Sequence, residues 1–434
     1  MSSTLPLPKL PALKRKARVW IGYSGGLDST VLLHRLMGSP LQARVHAVHV
    51  HHGLQSVADE WAQRCEIQCR EWKLPFQCVR VQLDSRNAAG PEAAARDARY
   101  AVIAELMQPG DVLATAHHQD DQAETLLLNL SRGAGVEGLA AMREAEPFGM
   151  GLHWRPLLKL SRQALRDYGQ QQGLQWIEDP HNADPRYARS YLRAEIMPRL
   201  KARWPHANET LARAANNCAD AAELIRQQAE LDLQSLNVGD DLSVAGLLSL
   251  GELRANAVLR HWIRQRQGYA PDRDNLSRIE QELLRAKPDA APRLRIGDGE
   301  LRRYRDRLVY FSEVLPEVVW PQMLQWDARG QLPLPEGCGA LLAPKNAKAQ
   351  LLSIRPARGS ERIKLHKNRP SRTLKNLFQE ESVPPWLRQR LPLIYAGDKL
   401  ICVACHWWAA DVPKNMRRML WQHKLPGWNQ NSEE

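Results

Sequence analysis

The sequence predicts an α/β protein whose N-terminal domain is a doubly wound parallel sheet, followed by a mainly helical domain and a small α+β C-terminal module. Strand-like and helix-like segments alternate over residues 17–131. Repeated β-α-β units of this length place parallel strands in one sheet and cover both of its faces with helices. From about residue 209 helix formers dominate, and short strand-like segments return towards the C-terminal end.

The elements of the N-terminal domain follow each other in a regular order. Short apolar runs predict strands at 17–23, 45–50, 76–83 and 111–116. Amphipathic or Ala-rich segments between them predict helices at 29–37, 59–72 and 91–107, and a fourth helix that ends at about residue 131.

The rest of the chain divides by composition. We expect the α/β domain to span 1–208 and the mainly helical domain to span 209–310, with strand-like pieces at 293–309. Residues 311–350 carry many Pro and Gly turn signals and predict a linker with some β structure. Residues 351–434 predict a basic module with one clear helix near 371–380.

Composition narrows the class of protein. A length of 434 residues suggests about three domains. Sixty Lys and Arg against 48 Asp and Glu give a net charge of +12, which favours a polyanionic partner. Seven cysteines are sparse and odd in number, so a reducing cytoplasm is expected rather than a disulfide framework. No apolar run approaches about 20 residues and no signal-peptide pattern opens the chain, so no membrane association is expected.

The strongest local motif is the run Ser24-Gly25-Gly26-Leu27-Asp28-Ser29, which follows a predicted strand and precedes a predicted helix. Paired glycines let backbone N–H groups turn inwards around an anion, and the helix N-terminus adds its dipole. The two serine hydroxyls can donate to phosphate oxygens, whereas Asp28 suits a Mg²⁺ ion that bridges to phosphate. The alternative is a Gly-Gly turn with capping serines.

A second cluster occupies residues 115–133. At helical spacing, one face is expected to be apolar: Ala123, Leu126, Leu127 and Leu130. Asp121 and Glu124 lie at i,i+3 on a neighbouring flank, where two carboxylates can hold an ammonium group and one can accept its proton. Acids at a helix start are also a capping pattern, so that alternative stays open.

Histidines near the predicted strand ends offer a weaker zinc hypothesis. The candidates are His49, His51, His52, His117 and His118. No pair of cysteines at metal-ligand spacing accompanies them.

These motifs together show a resemblance. The loop at 24–29 resembles that of the ATP-pyrophosphatase (PP-loop) group, and most of residues 17–200 resembles the bacterial tRNA(Ile)-lysidine synthetase family. Further matching stretches lie at 49–54 with Asp59, 90–100, 115–139, 155–158, 177–182 and 375–388. Two positions depart from the family pattern: His181 stands where Ser or Thr is usual, and Ser190 stands where Asn is usual.

The resemblance implies a two-step reaction on the wobble cytidine of a tRNA(Ile) with a CAU anticodon. The cytosine C2 oxygen attacks the α-phosphate of ATP, pyrophosphate leaves, and the ε-amine of free lysine then displaces AMP. ATP, Mg²⁺, lysine and this tRNA are the implied ligands, and a homodimer is one open possibility.

The resemblance also implies roles for single residues. Residues 24–29 would hold the β- and γ-phosphates, with Asp28 organising Mg²⁺. Asp121 and Glu124 would bind lysine. His51, Arg96 and Arg99 would neutralise charge around the α-phosphate or the tRNA backbone, with Arg96 as a catalytic residue, His51 at the ATP and Arg99 at the tRNA. Arg189 and Arg193 would contact the tRNA near the anticodon. For Arg96 and Arg99 the alternative is an exposed helix face on which Glu92 and Arg96 form an i,i+4 pair. For Arg189 and Arg193 the alternative is a structural salt bridge.

The C-terminal module carries most of the positive charge. Residues 355–434 hold 15 Lys and Arg against 7 acids, a net charge of +8, and residues 355–390 hold 10 against 3, a net charge of +7. Such a surface predicts RNA binding, with Phe378 and Trp386 able to stack on bases. The candidates are Lys364, Lys367, Arg372, Lys375 and Arg388. The alternative is a charged surface that is only solvated. In the same module, Cys402-x-x-Cys405-His406 is a weak zinc motif, because no second pair of cysteines accompanies it.

Three other functions compete with this interpretation. A tRNA-thiolating enzyme of the same group would need paired reactive cysteines or a cluster. A glutamine-dependent amidating synthetase would need an amidotransferase domain or partner. A non-catalytic RNA-binding protein with a vestigial ATP site would release no pyrophosphate in response to lysine.

Overall fold

The structure, a computed structural model, describes residues 5–6, 13–14, 16–51, 58–81, 91–178, 187–287, 290–344, 349–414 and 416–423. The chain forms two compact units, Met1–Leu224 and Ile225–Glu434. Across the described ranges, none of the helices combines the length and the apolar character that crossing a membrane requires.

The first unit is built on a six-stranded sheet in the order β3-β2-β1-β4-β6-β5. The strands are β1 (Val19–Gly22), β2 (Val45–His51), β3 (Phe76–Arg80), β4 (Val112–Ala114), β5 (Ala145–Phe148) and β6 (Gly151–Trp154). All neighbours are parallel except β5, which pairs antiparallel with β6 at the edge. The sequence did not predict this hairpin, since β5 is short and contains Pro147, a residue that sheets accept at their edges.

Helices cover both faces of this sheet, as predicted. The helices of the first unit, the last of which continues into the second unit, are α1 (Leu27–Met37), α2 (Ala58–Glu71), α3 (Pro91–Leu106), α4 (Gln119–Ser131), α5 (Val136–Leu139), α6 (Arg162–Gln171), α7 (Ala188–Tyr191), α8 (Met197–Arg203) and α9 (Ala207–Leu236). Val19 and Ile21 of β1 belong to a buried cluster with α1 and α6. Trp20, between them, belongs to a second cluster with Ile103 of α3. Alternate residues of one strand thus serve two cores, which confirms the doubly wound α/β class.

The register of the strands decides where their ends meet. Ile21 of β1 lies opposite Ala47 of β2 and Ala114 of β4. The loops that follow these three parallel strands therefore emerge at the same edge, the one where open α/β sheets bind their ligands.

Asp111 secures the other end of β4. Its carboxylate accepts hydrogen bonds from Arg18 N at 2.9 Å, Arg18 Nε at 3.1 Å, Trp20 Nε1 at 3.1 Å and Gln108 N at 3.0 Å. Burial raises the pKa of Asp111, and these donors outweigh it, so the pKa lies below its ordinary value.

The second unit begins within α9, and its first part combines helices with a five-stranded sheet in the order β7-β8-β11-β10-β9. The elements are β7 (Asn237–Val238), β8 (Asp241–Ser243), α10 (Val244–Ser249), α11 (Glu252–Gln267), α12 (Arg273–Arg278), β9 (Arg293–Ile296), β10 (Gly299–Tyr304) and β11 (Arg307–Phe311). Trp262 and Leu301 lie in one core, so the strand-like pieces pack with the helices rather than standing apart.

The C-terminal part is a set of small antiparallel sheets. The strands are β12 (Leu324–Trp326), β13 (Gln331–Pro333), β14 (Ala340–Leu342), β15 (Leu352–Pro356), β16 (Arg362–Ile363), β17 (Arg372–Thr373), β18 (Pro392–Ala396), β19 (Lys399–Val403), β20 (Trp407–Trp408) and β21 (Leu420–Gln422), with helices α13 (Leu374–Glu380) and α14 (Pro385–Arg388). β12 pairs with β15 and β14 pairs with β21, so part of the 311–350 segment belongs to these sheets. Helix α13 begins three residues later than predicted because β17 pairs with β16 and Thr373 caps the helix.

Candidate active site

The loop at 24–29 follows β1 as predicted, and its last three residues form the first turn of α1, which begins two residues earlier than predicted. Its own side chains hold it. Ser29 Oγ donates to the Gly26 carbonyl at 3.0 Å and lies 3.1 Å from Ser24 Oγ. Gly25 has a φ of +79°, and a Cβ there would lie 2.8 Å from both Cys65 Sγ and Ile177 Cδ1. The position therefore requires glycine both for its backbone conformation and for the close approach of two side chains.

Asp28 follows on the first turn of α1. Its Oδ1 is buried and has no hydrogen-bond partner among the described residues, while Oδ2 lies 3.6 Å from His118 Nε2. A buried carboxylate oxygen without a donor is unfavourable in isolation. A divalent cation is one group that would satisfy it, so the donor set fits Mg²⁺.

A cavity of about 710 Å³ opens at this edge of the sheet, within the range of sites for small-molecule ligands. The loop and the ends of β2 and β4 form its walls. The polar or aromatic side chains that line it are Tyr23, Ser24, Asp28, Ser29, His49, His51, Trp61, Arg99, Tyr100, Thr115, His117, Asp121, Arg162, Arg166, Trp176, Glu178 and Arg193.

Asp121 caps α4 as well as lining the cavity. Its Oδ2 accepts from the His118 backbone N–H at 3.0 Å, while the His118 side chain accepts from Asp121 N at 3.4 Å, which together form a capping box. The other oxygen, Oδ1, accepts from Arg193 Nη2 at 3.2 Å. The capping alternative is thus realised for one oxygen of Asp121 and leaves the other for a cation.

Glu124 is buried against two guanidinium groups. Arg193 donates to it from Nε at 2.8 Å and from Nη2 at 2.9 Å, and Arg189 Nε lies 3.3 Å from Oε2. Arg189 also donates from Nη2 to Thr125 Oγ1 at 2.6 Å. Both arginines therefore form internal ion pairs. A structural salt bridge was the alternative to tRNA contact that the sequence left open for them.

These pairs change the predicted face of α4. Glu124 is 2% exposed and Leu130 is 57% exposed, so the expected apolar face is wrong at Leu130. The reason is that a carboxylate satisfied by two arginines can be buried, and it takes an interior position next to Ala123 and Leu126.

The electrostatics of the cluster favour its charged forms. Burial raises the pKa of Asp121, but His118, His117, Arg189 and a backbone N–H outweigh it, and the pKa falls below its ordinary value. Burial lowers the pKa of His118, but the carboxylates of Asp121, Asp28 and Asp120 outweigh it and raise the pKa.

Of the other basic candidates in the first unit, His51 and Arg99 line the cavity and Arg96 does not. His51 is buried, lines the cavity and lies 3.3 Å from Asp59 Oδ1 through Nε2. Arg99 lines the cavity as well. Arg96 is exposed, and its guanidinium lies over the Tyr100 ring at 5.6 Å from the ring centroid, so it is not brought into the cavity wall.

Among the described residues, the histidine candidates do not assemble around a metal, and His52 lies outside these residues. His49 donates from Nδ1 to the Tyr23 carbonyl at 2.9 Å and so supports the end of β1. Over the described ranges, no group of three or more His, Cys, Asp or Glu side chains could hold a metal ion, and this includes Cys402, Cys405 and His406. All seven cysteines are free thiols.

The basic module of the second unit mixes surface and structural side chains. Lys364, Lys367 and Lys375 are exposed. Arg372 pairs with Glu380, and Arg388 donates to the Val383 carbonyl at 2.8 Å and to the Tyr304 hydroxyl at 3.1 Å.

The prediction that Phe378 and Trp386 stack on bases is wrong. They are 1% and 5% exposed and belong to the hydrophobic core of the module. The short helices α13 and α14 each bury one apolar side against the sheet, and these rings fill that side.

Some predicted motif positions fall outside the described residues: 52–54, 90, 179, 181 and 182, together with the side chain of Glu92. Ser190 lies in α7 and is half-buried. Other cavity residues were not singled out from the sequence, namely Arg162, Arg166 and Trp176; the only signal was their position near the matched stretches 155–158 and 177–182.

Families of known proteins match most of the chain. A PP-loop domain family matches residues 5–200, a TilS substrate binding domain family matches 242–309, and a TilS substrate C-terminal domain family matches 352–425. The tRNA(Ile)-lysidine synthase of Edwardsiella ictaluri is 42% identical over 404 residues, with 90% of each chain covered. That of Salmonella newport is 39% identical over 412 residues, which cover 91% of this chain and 93% of that protein.

Among solved structures, the chain is similar to the U34-tRNA thiolase NcsA from Methanococcus maripaludis, at 20% sequence identity over 47% of this chain and 73% of that chain, with a TM-score of 0.40. The extent and identity of the matches to the two synthases show that this chain belongs to the tRNA(Ile)-lysidine synthase family.

Proposed function

We propose that this chain ligates lysine to C2 of the wobble cytidine of the CAU-anticodon tRNA(Ile), in an ATP-dependent reaction that passes through an adenylated base and releases pyrophosphate and AMP. One observation carries the proposal: the loop at 24–29 and the carboxylate of Asp121 line the same cavity. Membership of the lysidine synthase family supports the choice of tRNA and of amino acid.

ATP would bind with its β- and γ-phosphates in the loop. Backbone N–H groups around Gly25 and Gly26, the hydroxyls of Ser24 and Ser29, and the N-terminus of α1 all favour an anion there. Asp28 would hold Mg²⁺, which when bound neutralises phosphate charge. His51 and Arg99, both in the cavity wall, would face the α-phosphate, and the exposed Arg96 would contact the tRNA backbone.

In the first step the cytosine C2 oxygen attacks the α-phosphorus and pyrophosphate leaves. The reacting groups carry growing negative charge on the phosphoryl oxygens, so fixed cations and donors in the cavity lower the barrier. Positioning of the base and the phosphate beside each other is the second contribution of the cavity.

In the second step the ε-amine of lysine must lose a proton before it attacks C2 and displaces AMP. Asp121 and Glu124 are the carboxylates able to hold the ammonium group and accept that proton. Both already face Arg193, and Glu124 also faces Arg189. We therefore propose that lysine enters by replacing the Arg193 guanidinium at one of the two carboxylates.

The basic C-terminal module would bind the tRNA. Its support is the net charge of +8 over residues 355–434 and the exposure of Lys364, Lys367 and Lys375. Arg189, Arg193, Arg372 and Arg388 have internal partners, so any RNA contact by them would be secondary. We also propose that catalysis resides in 1–208, followed by the helical domain at 209–310 and the tRNA-binding module at 351–434.

The thiolation alternative is less well supported. Burial raises the pKa of the Cys65 and Cys69 thiols to about 12, which makes them poor nucleophiles at neutral pH. Free thiols throughout the chain are also compatible with our proposal that the enzyme works in the reducing cytoplasm.

The deciding experiment incubates the full chain with ATP, labelled lysine and total tRNA. Label that stays on the tRNA through mild alkali supports a carbon–nitrogen bond, whereas absent or alkali-labile label contradicts the proposal. The Asp28→Ala variant is expected to lose pyrophosphate release by at least about 100-fold. An Asp167→Ala variant, changed at an exposed acid of α6, is the matched control.

A further inference from the structure

A chain of hydrogen bonds runs from β6 to the cavity and ends at His117. Arg155 donates from Nη2 to His153 Nδ1 at 3.0 Å. His153 Nε2 lies 2.8 Å from Thr115 Oγ1, and Thr115 Oγ1 lies 2.7 Å from His117 Nδ1. The phosphate loop, the two lysine-binding carboxylates and the cysteines take no part in these hydrogen bonds.

The direction of these bonds follows from the first one, together with the fact that the Thr115 hydroxyl has no acceptor other than His117 among the described residues. A guanidinium can only donate, so His153 Nδ1 accepts and, in the neutral ring, Nε2 carries the proton. His153 then donates to Thr115 Oγ1, and the Thr115 hydroxyl donates its own proton to His117 Nδ1. His117 is thereby left with its proton on Nε2.

The surroundings keep both rings neutral. Burial, Arg155, His117 and Arg96 lower the pKa of His153 to about 2. Glu146 Oε1 lies 3.8 Å from His153 Nδ1, but it pairs with the Arg155 guanidinium, which makes the closer contact to that nitrogen. Burial lowers the pKa of His117 to about 3; Asp121 opposes this shift, and Arg155, Arg189 and Arg96 add to it.

His117 stands beside the phosphate loop. It follows β4, whose Ala114 pairs with Ile21 of β1, and the loop at 24–29 follows β1. His117 lines the same cavity, and its Nε2 makes no hydrogen bond to any residue in the described ranges. The free N–H therefore belongs to the wall at which the nucleotide is proposed to bind.

We propose that His117 is a neutral Nε2–H donor to a non-bridging oxygen of the α-phosphate, and that Thr115, His153 and Arg155 are positioning residues that set its tautomer. The inference rests on the ATP site of the proposed function. A neutral donor adds no charge to the site, and it cannot be captured as a cation by Asp121. It stabilises negative charge that grows on the phosphoryl oxygens.

The tautomer can be observed directly by NMR. Full-length protein labelled with ¹⁵N-histidine is recorded at about pH 7, with the His117→Gln and His153→Gln variants used for assignment. We expect the Nε2–H form of His117, and a shift of that nitrogen on addition of Mg²⁺ and α,β-methylene ATP, which cannot be cut between its α- and β-phosphates. An imidazolium, an Nδ1–H tautomer, or no response to the analogue would overturn the proposal.

Kinetics provide the second test. His117→Ala should slow pyrophosphate release by about 100-fold, the effect of removing one oxyanion donor. His117→Gln, whose amide can also donate, should recover part of the rate. Thr115→Val should slow release by about tenfold and shift the His117 tautomer population, whereas Thr115→Ser should do neither. Equal rates for the Val and Ser variants would contradict the positioning role, and this contrast decides the matter if His117→Ala does not fold.

Failure of this inference and failure of the proposed function are distinguishable. If wild-type protein binds the analogue and shows the expected His117 response but transfers no lysine to tRNA, the function is wrong and the donor assignment stands. If lysine is transferred and the His117 signal is an imidazolium or unresponsive, the donor assignment is wrong and the function stands.

Discussion

Arg193 and Glu124 form a bidentate ion pair, with Nε on Oε1 at 2.8 Å and Nη2 on Oε2 at 2.9 Å. The backbone of Arg193 belongs to a π-helical turn, Leu192–Ile196, a rare geometry often found at functional sites. Burial lowers the pKa of Arg193, but Glu124, Asp121 and Asp28 outweigh it and raise the pKa. A permanent cation thus already occupies the acids proposed to receive lysine, so lysine binding requires an exchange of cations.

Glu124→Gln is expected to block lysine transfer and to leave pyrophosphate release partly intact, because the amide cannot accept the proton of the ε-ammonium group. It also removes the charge that pairs with two arginines, and unfolding by urea should show a loss of roughly 3–5 kcal/mol. Transfer and release are measured separately with labelled lysine and labelled ATP. Equal loss of both activities in the folded variant would refute this division of roles.

Arg193→Gln is expected to tighten lysine binding, because the ammonium group no longer competes with a guanidinium. A gain of about 1.4 kcal/mol corresponds to a tenfold lower Kd. Equilibrium dialysis with labelled lysine, in the presence of α,β-methylene ATP, measures it. Arg199→Gln, changed at an exposed i,i+4 pair with Glu195, is the matched control. Unchanged or weaker lysine binding would contradict the exchange of cations.

Gly25→Ala is expected to destabilise the first unit and to abolish ATP binding. The left-handed backbone costs about 1 kcal/mol for alanine, and the clash with Cys65 and Ile177 adds about 1–3 kcal/mol. Gly173→Ala separates the two effects, since Gly173 has a φ of +63° and a Cβ there meets no atom within 4 Å. Urea unfolding and nucleotide binding check both; similar losses for the two variants would remove the steric argument.

Replacing Lys364, Lys367 and Lys375 together by Gln is expected to weaken tRNA binding. The slope of log K against log salt should fall by about 0.7–0.9 for each phosphate that the variant no longer neutralises. Filter binding over a salt series measures the slope. Lys73→Gln, at an exposed position of the first unit, provides the control, and an unchanged slope in the triple variant would exclude this surface from the interface.

Asp111 should make the free energy of unfolding depend on pH in the acid range, below its ordinary pKa. Its folded pKa lies below its ordinary value of 3.8, so its contribution is fully present above that value and is lost as pH falls towards the folded pKa. Asp111→Asn is expected to lower the free energy of unfolding by roughly 1–3 kcal/mol at neutral pH and to flatten the acid decline. Urea titrations at about pH 7 and pH 3 test this; an equally steep decline in the variant would assign it to other carboxylates.

The phosphate loop and the helix starts were predictable because their chemistry is local. Two adjacent glycines between a strand-like run and a helix former mark a tight turn, because glycine adopts left-handed backbone conformations that other residues disfavour. The same holds for the start of α4, where Asp121 contacts a residue only three positions away. Alternation of strands and helices likewise predicted the doubly wound sheet, since the connection rules leave few topologies.

The pairings of the site were decided by the tertiary structure. Arg193 reaches Glu124 across 69 positions, and no spacing in the chain distinguishes this ion pair from a contact to RNA. Leu130 became exposed and Phe378 buried for the same kind of reason: a side chain's environment depends on which distant element packs over it. Backbone geometry and capping act over a few bonds and can be recognised along the chain, whereas burial and charge pairing act through space and exist only once the chain has folded.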